Sequence, residues 1–564
     1  MSSVRTIRRS ILLALSLLSA CAASDPSSSA GSRSERYHPT GAFGNYLAGR
    51  FALANADADT AATDLLAVLA VNPRNPEVIQ QAFIACVIAG RPEAEALARQ
   101  LPPDSLLGQL VLANADAKAG RWKSAEQRFR VLPRQGPTQV LQPLLVAWTQ
   151  QGEGRTDEAM ATLRPLLEMQ RFRGLFSLHA AMINDIAGRK QEAARYYQAA
   201  QGAMPEANLR VAEIMASWYA RNGQAVEAQR ALSEVSNYSL DASIALPAMV
   251  ANLSKRAVAR PTDGLAEAYL AFASALRVQN ANDLAIMVLR LALDLRPDLT
   301  SARLIFSEIL VAQQQPRAAL RALAGVPESD PLSGIVRLRR AALNERMGRS
   351  DDAIRELREI AQDFPNSPVP DLQLGDIYRA KQRYPDAITA YDRAIARVSH
   401  PVPTDWVVYY HRGIALDRNG QWARSEADLT HALKLAPDQP LVLNYLGYSW
   451  AERGENLPRA REMIEKALQR RPNDGAITDS LGWVLFRMGD IKEAVRLLER
   501  AVELEPDDPT INGHLGDAYW AVGRRIEAQY QWRRALTMNP TADDAAKLEA
   551  KLRPGLGSPV VTGQ

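Results

Sequence analysis

Along the last third of the chain, small and large apolar positions return at a fixed spacing of thirty-four residues. Gly482 recurs as Gly516, Ala494 as Ala528, Ala501 as Ala535 and Pro506 as Pro540. Each interval predicts a pair of helices. Gly489 is a stop signal for the first, Asp490 with Glu493 three residues on is a capping box opening the second, and Pro506 ends it. Glycine and alanine let two helices cross closely, and large residues such as Leu498 and Trp532 fill the holes beside them. The same phase extends upstream through Leu446-Gly447 with Ala460, Ala467 and Pro472, where one extra residue enters the turn near Asn456. It continues through Gly413 with Ala432 and Pro437, and Leu374-Gly375 with Tyr378, Ala387, Tyr391 and Ala394. Further back only its skeleton survives, as Ala353 with Pro365, Ala285 with Ala292 and Pro297, Ala193 with Tyr197 and Pro205, and Ala61 with Pro73. The spacing blurs around Gln100 and Pro137 and between Ser233 and Pro261.

Leu481-Gly482 … Ala494 … Leu498 … Ala501 … Pro506, and Leu515-Gly516 … Tyr519 … Ala528 … Trp532 … Ala535 … Pro540, resemble the tetratricopeptide-repeat (TPR) signature at nearly every position. The expected fold is therefore all-α, a TPR superhelical solenoid of antiparallel helix pairs. About fourteen pairs fit between Gly41 and Ala550. Residues 41–366 read as degenerate repeats, 367–550 as well-formed ones and 551–564 as a frayed tail.

Composition agrees with this reading. At 564 residues the chain exceeds what one compact core can serve, aromatics make up 6%, and helix formers dominate. The formal charge of +4 falls to +1 once Arg5, Arg8 and Arg9 are set aside as part of a removable segment, so no global field favours nucleic acid. The arginines from Arg337 to Arg358 are interleaved with Glu345, Asp351, Asp352 and Glu356, the pattern of a solvated helix face.

The N-terminus supplies an address. A basic region is followed by the apolar run Ile11 to Leu18, too short to span a bilayer, and then by small residues before Cys21. Leu18-Ser19-Ala20-Cys21 resembles a bacterial lipobox, which implies cleavage after residue 20 and lipidation of Cys21. Ala22 stands where an aspartate would mark inner-membrane retention, so the expectation is an outer-membrane anchor facing the periplasm. Cys86 is then the one remaining cysteine, expected as a small buried residue on a helix. Residues 22–40, rich in Ser and Ala, read as a flexible tether with a reach of roughly 25 Å.

Catalytic constellations are not evident. The histidines His38, His179, His400, His411, His431 and His514 form no H-E-x-x-H motif, so neither metal nor metalloprotease chemistry is expected. Gly447-Tyr448-Ser449-Trp450-Ala451 falls one residue short of a nucleophile elbow and sits inside a predicted helix. Gly152-Glu153-Gly154 lacks a third glycine, and no Walker-type loop occurs. No enzyme activity and no cofactor are expected.

TPR arrays bind along the wall lined by the first helix of each pair. Counting from each signature glycine, that wall should carry Tyr410, His411, Asp417 and Arg418, then Asn444, Tyr445, Tyr448 and Glu452, then Asp479, Trp483, Phe486 and Arg487, then His514, Asp517 and Trp520. This aromatic, mixed-charge set departs from a dicarboxylate clamp. It also departs from an asparagine ladder, since the sixth positions are Gln373, His411, Tyr445, Ser480 and His514. The aromatics either offer contact area to a protein or peptide or pack between adjacent repeats. The runs NYLGYSWAERG, DSLGWVLFRMG and HLGDAYWAVGR, within Leu441 to Pro540, resemble the large TPR outer-membrane lipoproteins of the LbcA type. That resemblance implies an adaptor that joins a carboxyl-terminal processing protease to peptidoglycan hydrolases. The alternative is an assembly or pilot factor for a secretion, pilus or polysaccharide-export machine.

Overall fold

The computed structural model describes residues 41–133, 138–204, 208–236, 239–398 and 401–553. The signal segment, Cys21 and the tether lie outside the described residues, as do His38, His400 and residues 554–564. Among the described residues there are thirty α-helices and no strand. Twenty-eight of the helices form fourteen consecutive hairpins, the first being Ala42–Ala54 with Ala58–Val71 and the last Pro509–Ala521 with Arg525–Leu536. The other two are a short helix, Leu246–Ala251, and a terminal one, Ala542–Leu552, which runs two residues into the expected tail. The hydrophobic core is continuous from Leu110 to Leu416 and does not divide near residue 366.

The hairpins close as the sequence dictates. A Cβ placed on Gly482 would stand 2.7 Å from Leu498 Cγ, and one on Gly516 would stand 2.4 Å from Trp532 Cδ1. The partner lies sixteen residues on in both cases, so the signature glycine exists to admit the large side chain that follows it. Leu498 is fully buried there, worth about 1.5–3 kcal/mol. Gly489 ends its helix in the left-handed conformation (φ 88°), and the Asp490 carboxylate accepts from the Glu493 N–H at 3.4 Å. Where the pattern thins, second helices shorten: Glu93–Ala98 and Pro316–Ala322 have six and seven residues. Between residues 236 and 261 the hairpin rhythm gives way to a 3-10 turn, Leu240–Ile244, and the short helix.

First helices of neighbouring hairpins pack on one another in several places, and no comparable contact links successive second helices, so the array curves toward the first-helix side. In the N-terminal half that inner side is filled by the chain itself. The seventh hairpin (Pro261–Val278 with Asn282–Leu295) lays its first helix on Thr138–Gly152 and Arg173–Ile186, and its second on Pro76–Ala89 and Leu106–Lys118. Gly264 sits against the indole of Trp148. Tyr269 Oη donates to Asn114 Oδ1 at 3.0 Å, Asn114 Nδ2 donates to the Leu291 carbonyl at 3.2 Å, and Lys118 pairs with Asp294 at 2.6 Å. Arg321 reaches the Ala56 carbonyl at 3.3 Å, linking the eighth hairpin to the first. Leu141 to Gln151 are buried without a break, the pattern of a helix covered on all faces. The expected solenoid of antiparallel helix pairs is present, and its first half winds around its own seventh hairpin.

Candidate inner-wall binding site

The wall that stays open belongs to hairpins ten to fourteen. Its first helices are Val369–Ala380, Trp406–Arg418, Pro440–Arg453, Gly475–Met488 and Pro509–Ala521. Among the described residues the 3-10 turn Leu240–Ile244 touches Val369–Ala380, and no upstream α-helix packs across the others as the seventh hairpin does in the first half. The side chains expected on the groove lie on these helices and join from one hairpin to the next.

At the upstream end His411 Nδ1 lies 2.6 Å from Asp376 Oδ1, which also accepts from Tyr391 Oη at 2.8 Å. Burial would raise the Asp376 carboxyl, but the bonds from His411 and Tyr391 outweigh it and hold the group below the usual range. Tyr410 meets Tyr445 edge to face with centroids 6.1 Å apart, and Tyr445 Oη donates to Asp417 at 2.9 Å. Arg453 binds the same carboxylate at 2.5 Å and lies over the Trp422 ring. Burial raises both tyrosines above the usual phenol value.

The centre is a three-ring stack. Trp483 lies parallel to Phe486 with centroids 5.0 Å apart and to His514 at 4.0 Å, while Tyr448 approaches His514 at 6.1 Å. Trp483 Nε1 donates to Glu452, and Arg487 donates to the Glu452 carbonyl at 3.0 Å. His514 Nδ1 is 2.9 Å from Asp479. Burial alone would lower His514, but the Asp479 carboxylate, with Asp517 and Glu452 behind it, holds the imidazole above its ordinary value. At the downstream end Asp517 accepts from Trp532 Nε1 at 2.9 Å and from Lys551 at 2.6 Å, and Trp520 lies 5.4 Å from Trp532.

The expected groove residues divide by burial. His514 and Asp479 are buried between hairpins; Tyr410, Tyr445, Tyr448 and Trp483 contact residues of another hairpin, Phe486 stacks on Trp483 and Trp520 packs against Trp532 within their own hairpins, and all six remain half-buried. Asn444 is half-buried too, and its Oδ1 meets no donor among the described residues. Arg418 is exposed. Asp376, which follows Gly375 as Asp517 follows Gly516, lies in a repeat left out of the count, and Arg453 lies beyond the counted positions. A histidine at position six with a carboxylate thirty-five residues upstream, seen as Asp376–His411 and Asp479–His514, is the signal that finds the first of them. Ser449 is buried inside Pro440–Arg453 with no strand before it, which removes the geometry of a nucleophile elbow. Cys86 is buried on Pro76–Ala89 as expected.

Among the described residues twenty-eight helices in fourteen stacked antiparallel pairs, curved toward the first-helix side, define a helical-repeat protein. Family models match at residues 267–407 (tetratricopeptide repeat-like domain), 410–475 (tetratricopeptide repeat) and 482–523 (TPR repeat). These matches, which together cover less than half of the chain, make residues 267–523 TPR-repeat sequence, and TPR domains bind proteins or peptides and are generally non-enzymatic scaffolds. It is 31% identical over 159 residues to the TPR repeat-containing protein PA4667 of Pseudomonas aeruginosa, a match covering 28% of this chain and 26% of that one. The chain thus spans about a quarter of that relative's length. Among solved structures it is similar to the Cut9–Hcn1 hetero-tetramer of the APC/C, at 15% identity and TM-score 0.39 over 90% of this chain and 96% of that one. It is also similar to TTC0263, a thermophilic TPR protein of Thermus thermophilus, at 23% identity and TM-score 0.29 over 33% and 98%.

Proposed function

We propose that the chain is a lipid-anchored scaffold of the outer membrane, held at its periplasmic face through Cys21, whose open inner wall gathers a periplasmic protease and its envelope substrates. The observation that carries the binding role is the contrast between the two halves. Upstream the inner wall is filled by the seventh hairpin, while downstream the same wall keeps half-buried Tyr, Trp and Phe side chains. Rigid aromatics give contact area at small entropic cost. A scaffold of this kind acts by raising effective concentration, not by bond chemistry. The anchor rests on the lipobox-like quartet, and the protease on the resemblance of the C-terminal repeats.

The test is crosslinked affinity capture from the cell envelope with the wild-type chain and with Trp483→Ala. The wild type should recover a carboxyl-terminal processing protease or a peptidoglycan hydrolase. The variant should bind it with a Kd raised about 30-fold, the equivalent of a 2 kcal/mol hot spot. Recovery of secretin, pilus or exporter components instead would favour an assembly factor. Undiminished capture by a folded Trp483→Ala chain would remove the open wall from the binding role.

A further inference from the structure

The two ends of the array are finished differently. In a stacked-repeat protein each hairpin covers its neighbour's apolar flank, so a terminal unit needs a polar outer face. At the C-terminal end the helix Ala542–Leu552, of sequence ADDAAKLEAKL, seats Leu548 on the last hairpin, turns Lys551 onto Asp517 and leaves Asp543, Lys547 and Glu549 exposed. The first hairpin has no such cover among the described residues. Its helix Ala42–Ala54 turns Phe43, Leu47 and Phe51 outward, 75%, 51% and 73% exposed, with Arg50 and Ala54 exposed on the same side. The spacing 43, 47, 50, 51, 54 makes one continuous stripe along the helix. The opposite side, with Gly49 and Ala52, is buried, and a Cβ on Gly49 would stand 2.8 Å from Leu65. Arg50 is the single charge on the helix, and among the described residues no carboxylate pairs with it.

What covers the stripe follows from the chain around it. Residues 22–40 contain Tyr37 as their one large apolar side chain, so the tether has nothing to fill a Phe-Leu-Phe surface. That same tether ties this end, and not the other, to residue 21 with a reach of roughly 25 Å. A helix with Phe and Leu outward and a lone Arg among them fits the boundary between acyl chains and anionic headgroups. We propose that Ala42–Ala54 lies on the bilayer surface through Phe43, Leu47 and Phe51, with Arg50 on anionic headgroups. The proposal rests on Cys21 being the lipid anchor. Its consequence is orientation: the array stands with its first hairpin down and its open C-terminal wall directed away from the membrane.

The experiment uses the full-length acylated protein in vesicles of phosphatidylethanolamine and phosphatidylglycerol carrying brominated acyl chains. A polarity-sensitive fluorophore is placed at Leu47→Cys or, as the distal control, at Ile526→Cys. Cys86 is buried, and burial pushes its thiol up to about 11, so it does not take the label. The label at position 47 should shift to the blue and lose most of its emission to bromine, and the label at 526 should do neither. Adding Phe43→Glu and Phe51→Glu should abolish the quenching at 47 while flotation shows the protein still on the vesicles. A label at 47 as solvent-exposed as the one at 526, with the mass of Cys21 showing acylation, overturns the docking and leaves the anchor standing. An unacylated Cys21 overturns both together. Shielding of position 47 without vesicles, accompanied by a dimer in sedimentation, gives the stripe to a second copy and overturns the proposal.

Discussion

Substituting Gly264 by alanine tests whether the seventh hairpin truly fills the inner wall of the first half. The new Cβ would stand 2.2 Å from Trp148 Cε2 and 2.3–2.4 Å from two further indole carbons. Carbon contacts settle near 3.5–4.0 Å, so the ring has to retreat by more than about 1 Å. It has nowhere to go. Trp148 is fully buried, and its Nε1 donates to His179 Nδ1 at 2.9 Å. Burial pushes His179 down to about 3, so the imidazole is neutral and that nitrogen is free to accept. Overpacking costs about 1–3 kcal/mol and a broken buried hydrogen bond about 1–3 kcal/mol, against about 1 kcal/mol gained in helix propensity, a net loss of about 1–5 kcal/mol. Gly513→Ala is the control. It is also helical, but its Cβ would meet only Leu548 at an ordinary 3.5 Å, so the chain should gain about 0.5–1 kcal/mol. Repeat arrays open in parts, so the readout is native-state hydrogen exchange over Thr138–Gly152 and Pro261–Val278, beside urea unfolding. Protection should fall in both helices together in Gly264→Ala. A Gly264→Ala chain with undiminished protection there would refute the packing of the seventh hairpin on the fourth.

Two further outcomes follow from the buried charges. The His514 imidazole is held above its unfolded value of about 6.5 by Asp479, so its contribution is complete below that pH and is lost as pH rises through the higher folded value. Exchange protection of Gly475–Met488 and Pro509–Ala521 should therefore decline on that rise, and His514→Gln should flatten the decline; an unchanged slope in the variant would show that the pair is not its source. Glu267 accepts from Arg210 Nε at 3.0 Å and pairs with Arg296 at 3.2 Å, so Glu267→Gln leaves two cations with one acidic partner fewer. The expected loss is about 3 kcal/mol in urea unfolding, at the low end of the range for a broken buried pair because Glu213 still holds Arg210 at 2.7 Å.

The sequence by itself determined what repeats every thirty-four residues. The helix pairs, their turns and the Gly482–Leu498 and Gly516–Trp532 contacts join residues within one hairpin, so a local spacing records them. On the inner wall Asp376 holds a counted position in a repeat left out of the count, whereas Arg453 escaped because the signature marks which residues let helices cross, not which polar atoms meet afterwards. Only the tertiary structure decided that the first half winds around its own seventh hairpin while the second half stays open. That closure is made by pairs such as Asn114 with Leu291, 177 residues apart, and Arg321 with Ala56, 265 apart. Small rotations from one hairpin to the next add up along the array before they bring such residues together, and an accumulated rotation leaves no period in the chain to read.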